Sequence, residues 1–272
     1  MRGFHLLFLT LLVPGWAIGQ ISPPGLGIAK TASWFALALR QAIDSANSRQ
    51  SVTYFGLAGV SHPDNTNLFQ KQAMFIANQE YYHQFRNHWQ YSVALSYRRQ
   101  NEYVEDAPYA ESKPSIRQEL RLYGRFTYNL KSERLRWVNN LRQDYRRFYT
   151  PDFEPWPEDL QLRTRLRTQL TYSLDRQRRQ FLVGSVEPLF SVSRQRGDNP
   201  KWGDFAYRES RFCLYYSLKP QIVPLVFNLG YMYNLLGKAA STGVHFIAVD
   251  VIGENPFFQH PKQRPRPEEY LE

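Results

Sequence analysis

The 272-residue chain has one cysteine, three methionines and six histidines. A single thiol, Cys213, closes no internal disulfide, which excludes a disulfide-stapled scaffold and a cysteine-based zinc site. No HxH or HExxH spacing occurs among the histidines and no GxSxG surrounds a serine. No metal site, cofactor or recognisable catalytic motif is therefore expected. Past residue 19 there is also no apolar run near the ~20 residues that a membrane helix needs. The longest candidate, "IVPLVFNLGYMYNLL", is interrupted by Pro224, Asn228 and Gly230. That excludes a helical membrane protein but not one that crosses with strands, because only alternate residues of a strand face lipid.

What is present begins with a leader. Arg2 precedes the short apolar stretch "FHLLFLTLLVPGWA", and Ala17 and Gly19 hold the small-residue positions before Gln20. This is the pattern of a secretory signal peptide, residues 1–19, cut after Gly19. No cysteine follows the cut to carry a lipid. The chain is basic, with 34 Lys and Arg against 24 Asp and Glu and a formal charge of +10. In an exported protein that balance argues against nucleic acid and toward anionic lipid or charges paired within the protein. At the other end, residues 259–272 are Pro-rich and charged and read as an extended periplasmic tail. Residues 20–258 are left as the folded domain.

Within that domain the period is two. In "LQLRTRLRTQLTYSL", Leu162, Thr164, Leu166, Thr168, Leu170, Tyr172 and Leu174 share one parity, and Arg163, Arg165, Arg167, Gln169, Thr171 and Ser173 the other. Such alternation is a strand with one apolar face. Ten segments alternate in this way, starting at residues 31, 69, 88, 115, 135, 161, 181, 205, 222 and 243. Connections after even-numbered segments are short ("RN", "KSER", "DRQRR", "KPQ"). Those after odd-numbered segments are longer: 45–68, 101–114, 150–158, 193–204 and 235–242. Short and long connections on opposite rims, with aromatics such as Trp89, Tyr91, Phe126, Tyr128, Trp137, Tyr172 and Tyr216 beside the short ones, are features of outer-membrane barrels. The expected fold is all-β: an antiparallel up-and-down transmembrane β-barrel of about ten strands, twelve being possible, with both termini on the short-turn side. Leu95, Leu122, Leu166 and Leu214 then face lipid. Asn139, Gln118 and Lys71 face it as exceptions. A soluble periplasmic barrel with the faces reversed has the same periodicity.

The barrel reading turns the arginines inward. Arg117, Arg121, Arg125, Arg136, Arg142, Arg163, Arg165, Arg167 and Arg211 share the inner face with Glu119, Asp144, Glu187 and Glu209. Carboxylate and guanidinium on neighbouring strands can pair laterally, so the expected role is an ion-pair network filling the lumen. The excess of arginine leaves a narrow anion-selective pore or anion binder open as an alternative. A lipid-modifying enzyme is a further alternative. "GVSHP" places Ser61 beside His62, but adjacent residues seldom face one another, and no catalytic residue is assigned. The expected partners are outer-membrane lipid and the barrel-assembly machinery.

With the strands placed, "ELRLYGRFTYNL", "LRTRLRTQLTYSL", "SVEPLF", "ESRFCLYYSL" and "HFIAVDV" resemble an uncharacterised family of exported bacterial proteins, a domain of unknown function. The resemblance runs from about Trp34 to Val251 and includes an inward Glu187, Arg211 ahead of an alternating strand, and His245 opening the last one. It implies a barrel in the bacterial outer membrane and adds no activity. The tail departs from the usual barrel ending, an aromatic near the C-terminus that the assembly machinery reads. Phe257 or Phe258 stands nearest to that position.

Overall fold

A computed structural model describes residues 21, 23–26, 29–104, 106–237 and 242–257. The leader and the tail lie outside the described residues. The fold is all-β. The strands are β1 (Thr31–Ala42), β2 (Arg49–Val60), β3 (Lys71–Gln84), β4 (Trp89–Tyr103), β5 (Glu111–Lys131), β6 (Leu135–Tyr149), β7 (Pro155–Ser173), β8 (Gln180–Gln195), β9 (Lys201–Trp202), β10 (Ala206–Leu218), β11 (Leu225–Leu236) and β12 (Thr242–Glu254). Each pairs with its neighbours in order, β8 pairs with β10, and a closed barrel of eleven strands results. The two-residue β9 adds to β8 outside the ring.

The ring of eleven strands lies between the expected ten and the possible twelve, and its closure is mixed rather than wholly antiparallel. Inside the expected 45–68 loop lies β2. Its inner face carries Tyr54, Gly56 and Ala58, so it lacks the polar–apolar contrast that marks the other strands. Gly56 is small for a reason: a Cβ there would lie 2.2 Å from Cη2 of Trp34 on β1. An odd count cannot close with antiparallel pairs alone. β1 and β12 therefore run parallel, in register from Thr31 opposite His245 to Arg40 opposite Glu254. It follows that β1 starts at one rim and β12 ends at the other, so the two ends of the barrel chain do not share the short-turn side. The rims also differ less than expected. β4 reaches Tyr103, β5 starts at Glu111 and β7 starts at Pro155, so much of 101–114 and 150–158 is strand.

The four leucines of the expected outer face do point outward. Leu95 is 62% exposed on the outside, and Leu122, Leu166 and Leu214 point outward with it. Aromatics collect beside the short turns, where Trp89 packs at a tilt against Tyr128 (4.5 Å between ring centres) and Phe126 (5.0 Å). Two of the three exceptions resolve. Gln118 is buried: it accepts from the Tyr97 hydroxyl (2.7 Å) and donates to the carbonyls of Thr150 and Pro151. Lys71 follows a register shift at Ala58/Gly59 and lines the interior, its ammonium bonded to the Tyr109 carbonyl. Asn139 stays on the outside level with Tyr128.

Inside, the wall has two characters. β1, β2, β11 and β12 supply an apolar side that includes Trp34, Ala36, Met232, Phe246 and Ile252. β3 to β8 and the start of β10 supply most of the charges, joined by Arg40 on β1 and by Asp250 and Glu254 on β12. Of the described residues before β1, Ile21, Leu26 and Ala29 are buried in the lumen against the apolar side. Arg211 donates to the Pro23 carbonyl (3.1 Å), and the Ile21 backbone meets Asp250, which also accepts from Trp34 Nε1 (3.1 Å). The sequence reading did not place these residues inside.

Candidate functional site

The charged wall follows from register. On β5, β6 and β7 the inward positions place like charges opposite one another: Arg121 faces Arg146, Arg125 faces Arg142, and Arg142 faces Arg165. Like charges directly opposite are destabilising, and diagonal carboxylates relieve them here. Asp144, fully buried, accepts from Arg142 Nε (2.5 Å) and lies 3.2 Å from Arg165 Nε and 3.6 Å from Arg121 Nη1. Glu119 takes Arg146 at both oxygens (3.0 and 2.7 Å) and Arg121 Nε at 2.5 Å.

The network continues around the barrel. Glu187 on β8 lies 3.7 Å from both Arg165 and Arg211. Glu209 pairs with Arg211, accepts from Asn234 Nδ2 (3.1 Å) and lies 3.9 Å from Arg163. Of the three consecutive inward arginines, Arg165 therefore bridges two acids, Arg163 reaches one at the limit of ion pairing, and Arg167 donates to the Ser185 hydroxyl (3.1 Å).

Three expected members stand apart. Arg117 pairs with Glu102 (3.0 Å) near the long-loop rim. Arg136 donates to Asn129 Oδ1 (2.9 Å) near the opposite rim. Arg125 meets Glu80 on β3 (3.4 Å), a carboxylate that also accepts from Ser92 (2.6 Å) and Tyr123 (2.8 Å). Sequence reasoning missed Glu80 because the parity of its segment is mixed, although Asn78, Glu80 and Tyr82 do keep one phase. It also left the pair Arg40–Glu254 (3.1 Å) unassigned, which the parallel register of β1 and β12 creates.

Two cavities remain between these side chains. The smaller, about 140 Å³, is lined among the described residues by eight arginines and two glutamates, Glu80 and Glu187. The larger, about 330 Å³, opens toward the long-loop rim and includes Arg98, Arg146, Arg163 and His62. Arg98 lines both.

The structure does not pair Ser61 with a histidine ring. The Ser61 hydroxyl donates to the His62 carbonyl (2.8 Å) and accepts from Thr31 N (3.0 Å). His88 Nδ1 lies 2.9 Å from the Asn129 carbonyl and His245 Nδ1 lies 2.7 Å from the Tyr231 hydroxyl. Among the described residues, no group of three His, Cys, Asp or Glu could hold a metal ion. In comparisons with known proteins, no family model and no curated protein matches the chain.

Proposed function

We propose that this chain is exported and inserts into the bacterial outer membrane, where its barrel encloses an anion-binding interior rather than a wide pore. The observation that carries the reading is the distribution of faces. A belt of outward Leu, Val and Phe lies between aromatic ends, and the charge is turned inward. A water-soluble barrel would expose that belt to solvent at a cost of roughly 25 cal/mol per Å² of apolar surface. The anion part rests on the excess of guanidinium over carboxylate around the smaller cavity. Outer-membrane lipid and the assembly machinery are the partners this reading calls for. The reading agrees with the resemblance to exported barrel proteins of unknown function.

The interior also argues against free conduction. Lateral ion pairs and residues 21, 23–26 and 29 occupy the lumen, leaving two small cavities among the described residues. Spin labels at Leu95 and Leu166 test the placement: lipid-soluble quenchers should reach them and water-soluble ones should not. Recovery of the folded protein from the periplasm without detergent would overturn it. Planar bilayers test the closed interior, which predicts no steady large-conductance state.

A further inference from the structure

Buried guanidinium exceeds buried carboxylate in this lumen, and the surplus is sharpest at Arg98. Arg98 on β4 stands directly opposite Glu119 on β5. An ion pair is expected there and does not form, because Arg121 and Arg146 already occupy both Glu119 oxygens. Arg98 is 7% exposed, its Nε is buried without an acceptor, and among the described residues it has no hydrogen bond or ion pair. Besides Glu119, its charged surroundings include Arg121 and Arg146, which repel it. A guanidinium cannot release its proton, so an enclosed one without a counter-charge is strongly unfavourable. Something anionic beside it removes the conflict.

The larger cavity offers the place. Arg163 lines it too, its Nε also lacks an acceptor, and the only carboxylate within 4 Å of it among the described residues, Glu209, is held by Arg211. Of the other acids around this cavity, Glu102 pairs with Arg117, and Glu158 accepts from the neutral Gln161 amide (3.1 Å). We propose that the larger lumenal cavity binds a small, doubly charged oxyanion of the phosphate or sulfate class, held by Arg98 and Arg163. Planar guanidinium forks match pairs of oxygens on such an ion better than they match a halide, and two guanidiniums whose nearest carboxylates are shared with other arginines leave positive charge that a divalent anion offsets. A cavity of about 330 Å³ inside the barrel wall suits a free hydrated ion.

This inference rests on the anion-binding reading above, and one experiment separates the two. Inorganic phosphate is titrated into the full chain in detergent micelles at constant ionic strength set with chloride, by calorimetry and by melting temperature. Phosphate should bind the wild type and raise its Tm. Arg98→Gln should weaken binding about tenfold or more, the scale of a lost charge-assisted hydrogen bond. Without phosphate, the same variant should melt at or above the wild-type temperature, because glutamine removes an uncompensated charge. Arg163→Gln should also weaken binding and serves if Arg98→Gln does not fold. Absence of phosphate binding to the wild type overturns both readings. Undiminished binding in both variants overturns this site and leaves the anion reading standing. A phosphate-free Tm of Arg98→Gln well below wild type overturns the site as well, since it makes Arg98 structural. Micelles doped with phosphatidic acid replace phosphate in a last arm, and equal stabilisation there overturns the assignment to a free ion.

Discussion

Asp144→Asn is the sharpest perturbation of the lumen network. The Asp144 carboxylate is fully buried and serves Arg121, Arg142 and Arg165 together, at 3.6, 2.5 and 3.2 Å. Asparagine keeps the shape and one acceptor but removes the charge, leaving guanidiniums that already face one another across β6 and β7. Removing one partner of a buried pair costs ~3–5 kcal/mol. Arg142 and Arg165 also line the smaller cavity, which water can enter, so the lower end, about 3 kcal/mol, is expected. Urea unfolding of the detergent-refolded protein, followed by far-UV circular dichroism, measures it. Arg165→Gln should be costly alone but should relieve part of the Asp144→Asn defect, giving a coupling of about 1–3 kcal/mol in the double-mutant cycle. A single-variant loss below about 1 kcal/mol, or simple additivity, would refute the claim that these groups hold one another in place.

Much of this was legible in the chain because the two faces of each wall strand differ strongly. Arg117 to Thr127 and Arg136 to Arg146 alternate so regularly that the inward set could be named from parity alone. Where contrast fails, so does the reading. β2 offers Gly56 and Ala58 inward and Gly59 outward, Gly56 because the Trp34 ring occupies the space above it and Gly59 because the Leu68 carbonyl and Ser33 hydroxyl crowd it, and a strand of small residues looks like a loop. Losing one strand changed the parity of the barrel, so the parallel closure and the Arg40–Glu254 pair were lost with it. Partner choice was legible only in class. Parity shows that Arg98 and Glu119 face inward, but only three-dimensional competition shows that Arg121 and Arg146 take the carboxylate first. The lumenal position of Ile21, Leu26 and Ala29 had no signal at all, since a few residues buried against an apolar wall show no period.

Three further expectations follow from the same geometry. Leu95→Arg and Leu166→Arg should each reduce folding into liposomes, at a cost of ~2–4 kcal/mol if the site lies at the midplane; unchanged folding yields would place that face away from lipid. Gly56→Ala should displace the Trp34 ring, break its 3.1 Å hydrogen bond to Asp250, shift tryptophan emission and destabilise by ~1–3 kcal/mol; an unshifted spectrum at wild-type stability would sink it. The last concerns the short turns, where Asp44 and Asp175 open two similar loops with left-handed residues at Asn47 and Arg178. Asp175 accepts from the backbone amides of Gln180 (2.9 Å) and Arg179 (2.8 Å), and these bonds hold its carboxyl below the ordinary value of 3.8. The Ser48 hydroxyl does the same for Asp44. Because the folded value is the lower one, these bonds support the turn fully above pH 3.8 and are lost as the pH falls through the folded value. The amide resonance of Gln180, followed by NMR in micelles, should therefore titrate with a midpoint below 3.8 and lose that titration in Asp175→Ala. A midpoint at or above 3.8 would mean that the carboxylate gains nothing from the amides, and the turn would then be held by its backbone bonds alone, Leu174 N to the Gln180 carbonyl at 2.9 Å and Arg178 N to the Asp175 carbonyl at 3.3 Å.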